Sequence, residues 1–101
     1  MKTTLTGALA LALFIAFGPA AAKSGDEVYN TTCAACHATG VASAPRYGNK
    51  ADWAARVKLG KDALRASAIK GKGAMPPRGG NDKLSESEVR NAVDHMLKAV
   101  R

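Results

Sequence analysis

The stretch Cys33-Ala34-Ala35-Cys36-His37 sets two thiols three residues apart, with an imidazole directly after the second. On a helix, positions i and i+3 share one side. Two thiols so placed reach the two vinyl groups on one edge of a porphyrin. His37 is then carried under the iron, where an imidazole nitrogen can bond it. The spacing therefore reads as the attachment site of one covalent haem c, with Cys33 and Cys36 as thioether donors and His37 as an axial iron ligand. Two other chemistries use cysteines at this spacing. A redox-active dithiol needs a βαβ setting, and the flanking sequence is helical in pattern. A zinc site wants four ligands, and there is no second C-x-x-C; only His95 and carboxylates remain as candidates.

Toward the N-terminus, Lys2 precedes an apolar run from Ala8 to Phe17. Gly18 and Pro19 break the run, and Ala20-Ala21-Ala22 follows. This is the three-part layout of a secretory signal. The apolar run is about half of the roughly 20 residues that span a bilayer as a helix. The expectation is a cleaved signal peptide over 1–22, export to the periplasm of a Gram-negative bacterium, and no stable membrane insertion afterwards. The competing expectation is an uncleaved anchor. Export suits covalent haem attachment, which takes place outside the cytoplasm.

Residues 23–101 then form one domain. The whole chain has 15 Lys and Arg against 8 Asp and Glu, for a net charge of +7. Loss of Lys2 leaves +6, and two ionised haem propionates would bring that toward +4. Tyr29, Tyr47 and Trp53 are the aromatic residues that remain. A domain this small is marginal without a staple. A disulfide between Cys33 and Cys36 closes a tiny loop and restrains the unfolded chain very little. A large apolar cofactor fills the core instead.

The mature chain reads as an all-α fold, about four helices wrapped round one haem. Ser24 and Glu27 form a capping-box pattern that starts a helix running to between Asn30 and Ala35. Lys50 to Leu59 is rich in helix formers and ends at Gly60. Asp62 to Lys70 reads as a shorter helix closed by Gly71. Ser85 and Glu88 form a second capping box. It opens the longest helix, Glu86 to about Val100, with Val89, Ala92, Val93, Met96, Leu97 and Val100 on one face. Two loops lie between, His37 to Asn49 and Gly71 to Asp82. Met75 sits in the middle of the second, followed by Pro76 and Pro77. The prolines fix φ, and the glycines let backbone pass close to a flat ring. Met75 is therefore the expected second axial iron ligand. Met96 lies in the apolar stripe and reads as core filler; His95 is a rival ligand. A soft thioether favours Fe(II) and raises the reduction potential. With both positions filled, substrates are kept from the iron, which points to electron transfer and not to an enzyme. The competing roles are a haem sensor, a thiol oxidoreductase and a dedicated subunit of one complex.

The order C-x-x-C-H, then Met75-Pro76-Pro77-Arg78-Gly79-Gly80, then a capped C-terminal helix (LSESEVRNAVDHML) resembles the class I c-type cytochromes, and most of all the short bacterial cytochrome c-five group. The resemblance covers 24–101 and includes Trp53 and Arg56 in DWAAR. It implies that Gly25 and Tyr29 lie where the first helix crosses the last. It implies that Pro45 offers its carbonyl to the Nδ1 proton of His37, and that Met75 is the sixth ligand. Trp53 would pack by the haem near a propionate, or else serve as plain core packing, with Tyr47 and Arg56 also near propionates. One departure is visible. Family members often carry an aromatic residue just before the helix methionine, and here it is His95, which puts the usual helix–helix aromatic contact in doubt. No structural disulfide is expected.

Lys58, Lys61, Arg65, Lys70, Lys72, Arg78 and Lys83 cluster through the middle of the chain. No aromatic residues are interleaved for base stacking, so nucleic acid is not expected as a partner. The expected function is that of a periplasmic, monomeric one-electron carrier of a respiratory chain. Its partners would be redox proteins with acidic docking surfaces, such as a membrane reductase or a terminal oxidase.

Overall fold

Ser24, in extended backbone (φ −68°, ψ 160°), opens the first helical rod of the computed structural model. The structure describes residues 21–101 together with Thr3 and Gly7; the apolar run and the break read as an export signal lie outside the described residues. The rod consists of α1 (Gly25–Val28), one π-turn (Tyr29–Cys33) and α2 (Ala34–His37). A 3-10 turn (Val41–Ser43), α3 (Lys50–Val57), α4 (Lys61–Lys70), a second 3-10 turn (Pro77–Gly80) and α5 (Glu86–Lys98) follow. Counting the rod once, the described residues form four helices and no strand; Lys72 and Met75 make an isolated antiparallel bridge. The expected all-α architecture is observed.

The first helix differs from its expectation in two ways. The Ser24–Glu27 capping box does not form. The Ser24 hydroxyl donates instead to the nearer Asp26 carboxylate, at 2.6 Å, and no side chain caps the helix. The rod also runs on to His37, through the π-turn. Thr31 Oγ1 donates to the Glu27 carbonyl at 2.8 Å, back-bonding that competes with the main-chain ladder where it widens. A π-turn inserts one residue, which rotates everything after it by about 100° relative to α1. Cys33 and His37 are thereby re-phased.

The later helices follow local chemistry closely. Asn49 caps α3 by accepting from the Asp52 N–H at 3.0 Å. The Ser85–Glu88 box is complete: Ser85 Oγ accepts from the Glu88 N–H at 3.1 Å, and the Glu88 carboxylate accepts from the Ser85 N–H at 3.0 Å. Helix α5 ends two residues before Val100.

Helix α5 is the spine of the core. Its buried face, Val89, Ala92, Val93, Met96 and Leu97, packs with Val28, Tyr29, Trp53, Ala68 and Leu84. Helix α1 crosses it at Gly25. A Cβ built there would lie inside van der Waals contact of the Asn91 carbonyl and 2.8 Å from the His95 Cβ, so only glycine permits the crossing. The doubt over the aromatic contact at this crossing is resolved by His95 itself. Its ring centroid lies 5.7 Å from Tyr29 and 5.4 Å from Tyr47, and those two tyrosines are 4.6 Å apart. An imidazole is flat enough to take the place of a phenol ring.

Helix α4 is tied to α5 by Arg65, whose Nε donates to Asp94 at 2.9 Å while Nη2 engages the other carboxylate oxygen. This guanidinium holds the Asp94 carboxyl below the usual range. A group whose pKa is depressed on folding adds stability above its unfolded value and loses it as the pH falls through the folded one. Asp94→Asn is expected to cost about 1 kcal/mol at pH 7, the upper range for a half-exposed bidentate pair. The gap between variant and wild type should begin to narrow as the pH falls below about 4 and close only as it passes the lowered folded value. Urea unfolding at pH 7 and pH 3 checks this.

Candidate haem site

His37 is 8% exposed at the end of α2, and its Nδ1 lies 2.8 Å from the Pro45 carbonyl oxygen. A carbonyl only accepts, so the proton sits on Nδ1 and the Nε2 lone pair is free for a metal. The loop is folded to deliver that carbonyl. Gly40 turns the chain at φ 87°, the Gly40 N–H donates to the Cys36 carbonyl at 3.0 Å, and the Tyr47 N–H donates to the His37 carbonyl at 2.7 Å. The imidazole also stacks on Trp53, with centroids 6.0 Å apart and planes 24° off parallel.

Trp53 is braced in turn. Its indole N–H donates to the Arg46 carbonyl at 2.9 Å. Arg46 Nε donates to Asp52 at 2.7 Å, and its backbone N–H reaches the same carboxylate oxygen at 3.1 Å. These bonds push the Asp52 carboxyl down to about 2. The Trp53 N–H is thus committed to main chain, and the ring packs behind the histidine. Arg56 Nη1 donates to the Asp52 carbonyl of its own helix at 2.8 Å, and Tyr47 stacks with Tyr29 and His95.

Met75 is held by main chain on both sides. Its N–H donates to the Lys72 carbonyl and its carbonyl accepts from the Lys72 N–H, each at 2.9 Å. Pro76 and Pro77 follow without donors of their own. Gly71 lies at φ 83°, and a Cβ there would come within 2.9 Å of both the Met75 carbonyl and the Pro77 nitrogen. Arg78, in the left-handed region at φ 56°, donates from Nη1 to the Leu84 carbonyl at 2.6 Å. That bond fastens the methionine loop to the approach to α5.

Cys33, His37 and Met75 line one narrow cleft; its other walls are Val28, Ala68, Arg78, Gly79, Leu84 and the α5 residues Val89, Ala92, Val93 and Met96. An imidazole nitrogen and a thioether sulfur, carried by separate segments into a nearly apolar slot beside a thiol, is the donor set that an iron porphyrin takes. The residues present fit haem. Cys36, half-buried like Cys33, lies one turn on and outside this cleft lining. Met96 serves both as core and as cleft wall, at 5% exposure. Burial pushes the Cys33 thiol up, the opposite of what a nucleophilic dithiol needs. Arg78 was not picked out from the sequence as a residue of the site. The signal was there: a charged residue between Pro-Pro and Gly-Gly, where only a tethering bond makes its left-handed backbone tolerable.

The family model described as cytochrome C oxidase, cbb3-type, subunit III matches residues 20–96. Cytochrome c-555 of Chlorobaculum tepidum is 43% identical over 101 residues, covering 96% of this chain and 93% of that protein. Cytochrome c5 of Azotobacter vinelandii is 42% identical over 77 residues, covering 74% and 93%. A chain in the crystal structure of an electron transfer complex of nitrite reductase with cytochrome c is 49% identical, with a TM-score of 0.72, covering 76% of this chain and 94% of that one. The chain belongs to the small class I c-type cytochromes, electron carriers whose members hold one covalent haem c.

Proposed function

We propose that this protein is a periplasmic one-electron carrier that works between redox proteins of a respiratory chain. In this reading Cys33 and Cys36 hold the haem as thioethers, and His37 and Met75 are its two axial ligands. The observation that carries the proposal is the meeting of the His37 imidazole and the locked Met75 in one cleft. When bound, the haem supplies a one-electron Fe(III)/Fe(II) couple. The chain's own residues do the rest. Pro45 orients His37 and makes it a stronger donor. The Lys72–Met75 bridge and the two prolines keep the thioether in place with little reorganisation between oxidation states. The apolar walls would keep water from the iron, and with His37 and Met75 both bound to it no position would be left for a substrate. A far-red sulfur-to-iron absorption band in the oxidised protein, absent in Met75→Ala, is the expected signature.

Redox proteins as partners are supported by the relative that forms an electron transfer complex with nitrite reductase. The basic residues Lys70, Lys72 and Lys83 flank the methionine loop and are exposed, and acidic docking surfaces complement them. With an acidic redox partner, the second-order electron-transfer rate is expected to fall about tenfold or more between 10 and 200 mM salt. Stopped-flow measurement checks this, and a flat salt response would count against electrostatic docking. The signal-like N-terminal segment supports the export reading, with cleavage after Ala22.

A further inference from the structure

Residue 23 is pinned to the C-terminal helix from both sides. Its backbone nitrogen donates to Glu88 Oε2 at 3.0 Å, and its carbonyl accepts from Asn91 Nδ2 at 3.2 Å. Glu88 and Asn91 are one turn apart on α5, so the pair forms a two-point clamp across 65 residues of sequence. The other Glu88 oxygen completes the capping box with Ser85. One carboxylate therefore serves the start of α5 and the entry to α1 together.

Lys23 is also the first residue left by cleavage after Ala22. We propose that signal removal completes this clamp: the nitrogen held by Glu88 becomes the α-ammonium of the mature chain, and a neutral amide contact becomes an ion pair fastening the N-terminus to α5. The inference rests on the cleavage reading above and goes beyond the electron-carrier function. The chemistry favours it. A charge-assisted hydrogen bond is roughly twice as strong as a neutral one. The ammonium needs no movement to reach its partner, because the nitrogen already lies 3.0 Å from the carboxylate. The contact also reinforces the α1–α5 crossing at Gly25, two residues on.

The Ser85 and Lys23 N–H groups hold the Glu88 carboxyl below the usual range, so it is charged throughout the neutral region. The other ionisable groups nearby are the Lys23 side chain, Asp26 and Glu27 from the α1 side, and the Glu86–Arg90 pair and His95 from α5. They are common to every form compared below. An α-amine titrates near pH 8 when free. Pairing raises that value on folding. The added stability is then complete below about pH 8 and is lost as the pH rises through the raised value.

The test uses exported holoprotein. Intact mass first reports whether it begins at Lys23. Its amines are then labelled by reductive methylation with ¹³C-formaldehyde, and the α-amine resonance is titrated in wild type and in Glu88→Gln. The expected result is a proton affinity about threefold higher in wild type. In parallel, Glu88→Gln is melted in the natural mature chain and in one with Gly-Ser inserted ahead of Lys23, where residue 23 keeps its amide. The capping loss is the same in both. The larger fall in Tm is expected in the natural chain at pH 7, with the difference vanishing above pH 10. A different first residue would overturn the cleavage reading and the clamp with it. A Lys23 start with equal α-amine titrations and equal losses of Tm would overturn the clamp alone.

Discussion

Met75→Ala is expected to lower the reduction potential by on the order of 0.1 V or more, since axial-ligand identity moves haem potentials over a range approaching a volt. The direction follows from ligand softness: the thioether favours Fe(II), and its loss removes that preference. The effect should be large because the fold offers no substitute. Met96 also lines the cleft, but it is buried in the core and fixed in the regular ladder of α5, which cannot advance it toward the iron. His95 is held between Tyr29 and Tyr47 at the α1–α5 crossing. The loop cannot bring in another donor, because Lys72 and residue 75 are joined by two main-chain bonds that alanine retains. One axial position should therefore open. Redox titration, loss of the far-red band and rapid carbon monoxide binding by the reduced variant are the measurements. An unchanged potential with the band intact would assign the sixth position to another residue. Folding should be little affected, because Met75 is only half-buried and its backbone bonds remain.

The second large effect is expected at Gly25→Ala. Two terms oppose each other. Alanine gains up to about 1 kcal/mol of helix propensity over glycine. Against this, its Cβ would enter the space of the Asn91 carbonyl and approach the His95 Cβ to 2.8 Å. Asn91 lies in the middle of α5, so its carbonyl cannot swing aside without breaking the helix ladder. Overpacking against such rigid neighbours costs about 1–3 kcal/mol and sometimes more. Because the obstacle is backbone, the steric term should win, with a net loss of about 2 kcal/mol. For a domain of this size that is a fall in Tm of about 10 °C. Thermal melts of the oxidised holoprotein check it, and a stability equal to or above wild type would show that the helices separate at little cost. The visible spectrum should hardly change, since Gly25 does not line the haem cleft.

The parts of this molecule that were legible in the sequence are those set by neighbours in the chain. C-x-x-C-H depends on one helical turn, the Ser85–Glu88 cap on three residues, and the stiffness of the Met75 loop on two adjacent prolines. The boundaries of α3, α4 and α5 needed only caps, glycines and an apolar period. The cap at Ser24 failed for an equally local reason, a carboxylate two residues away that competes for the same hydroxyl. The His37–Pro45 bond was suggested by resemblance; the loop that makes it depends on Gly40 and on the Tyr47 N–H.

By itself, the sequence determined the C-x-x-C-H turn, the stiff loop around Met75 and the helical class, because each rests on contacts within a few residues. The tertiary structure alone decided the π-turn that re-phases Cys33 and His37, and the placement of Trp53 behind the histidine. It also decided the use of His95 as the aromatic partner at the helix crossing, and the clamp between Lys23 and Glu88. Each of these is settled by which groups meet across long separations, where a donor takes the acceptor that packing brings nearest. No local pattern encodes that choice.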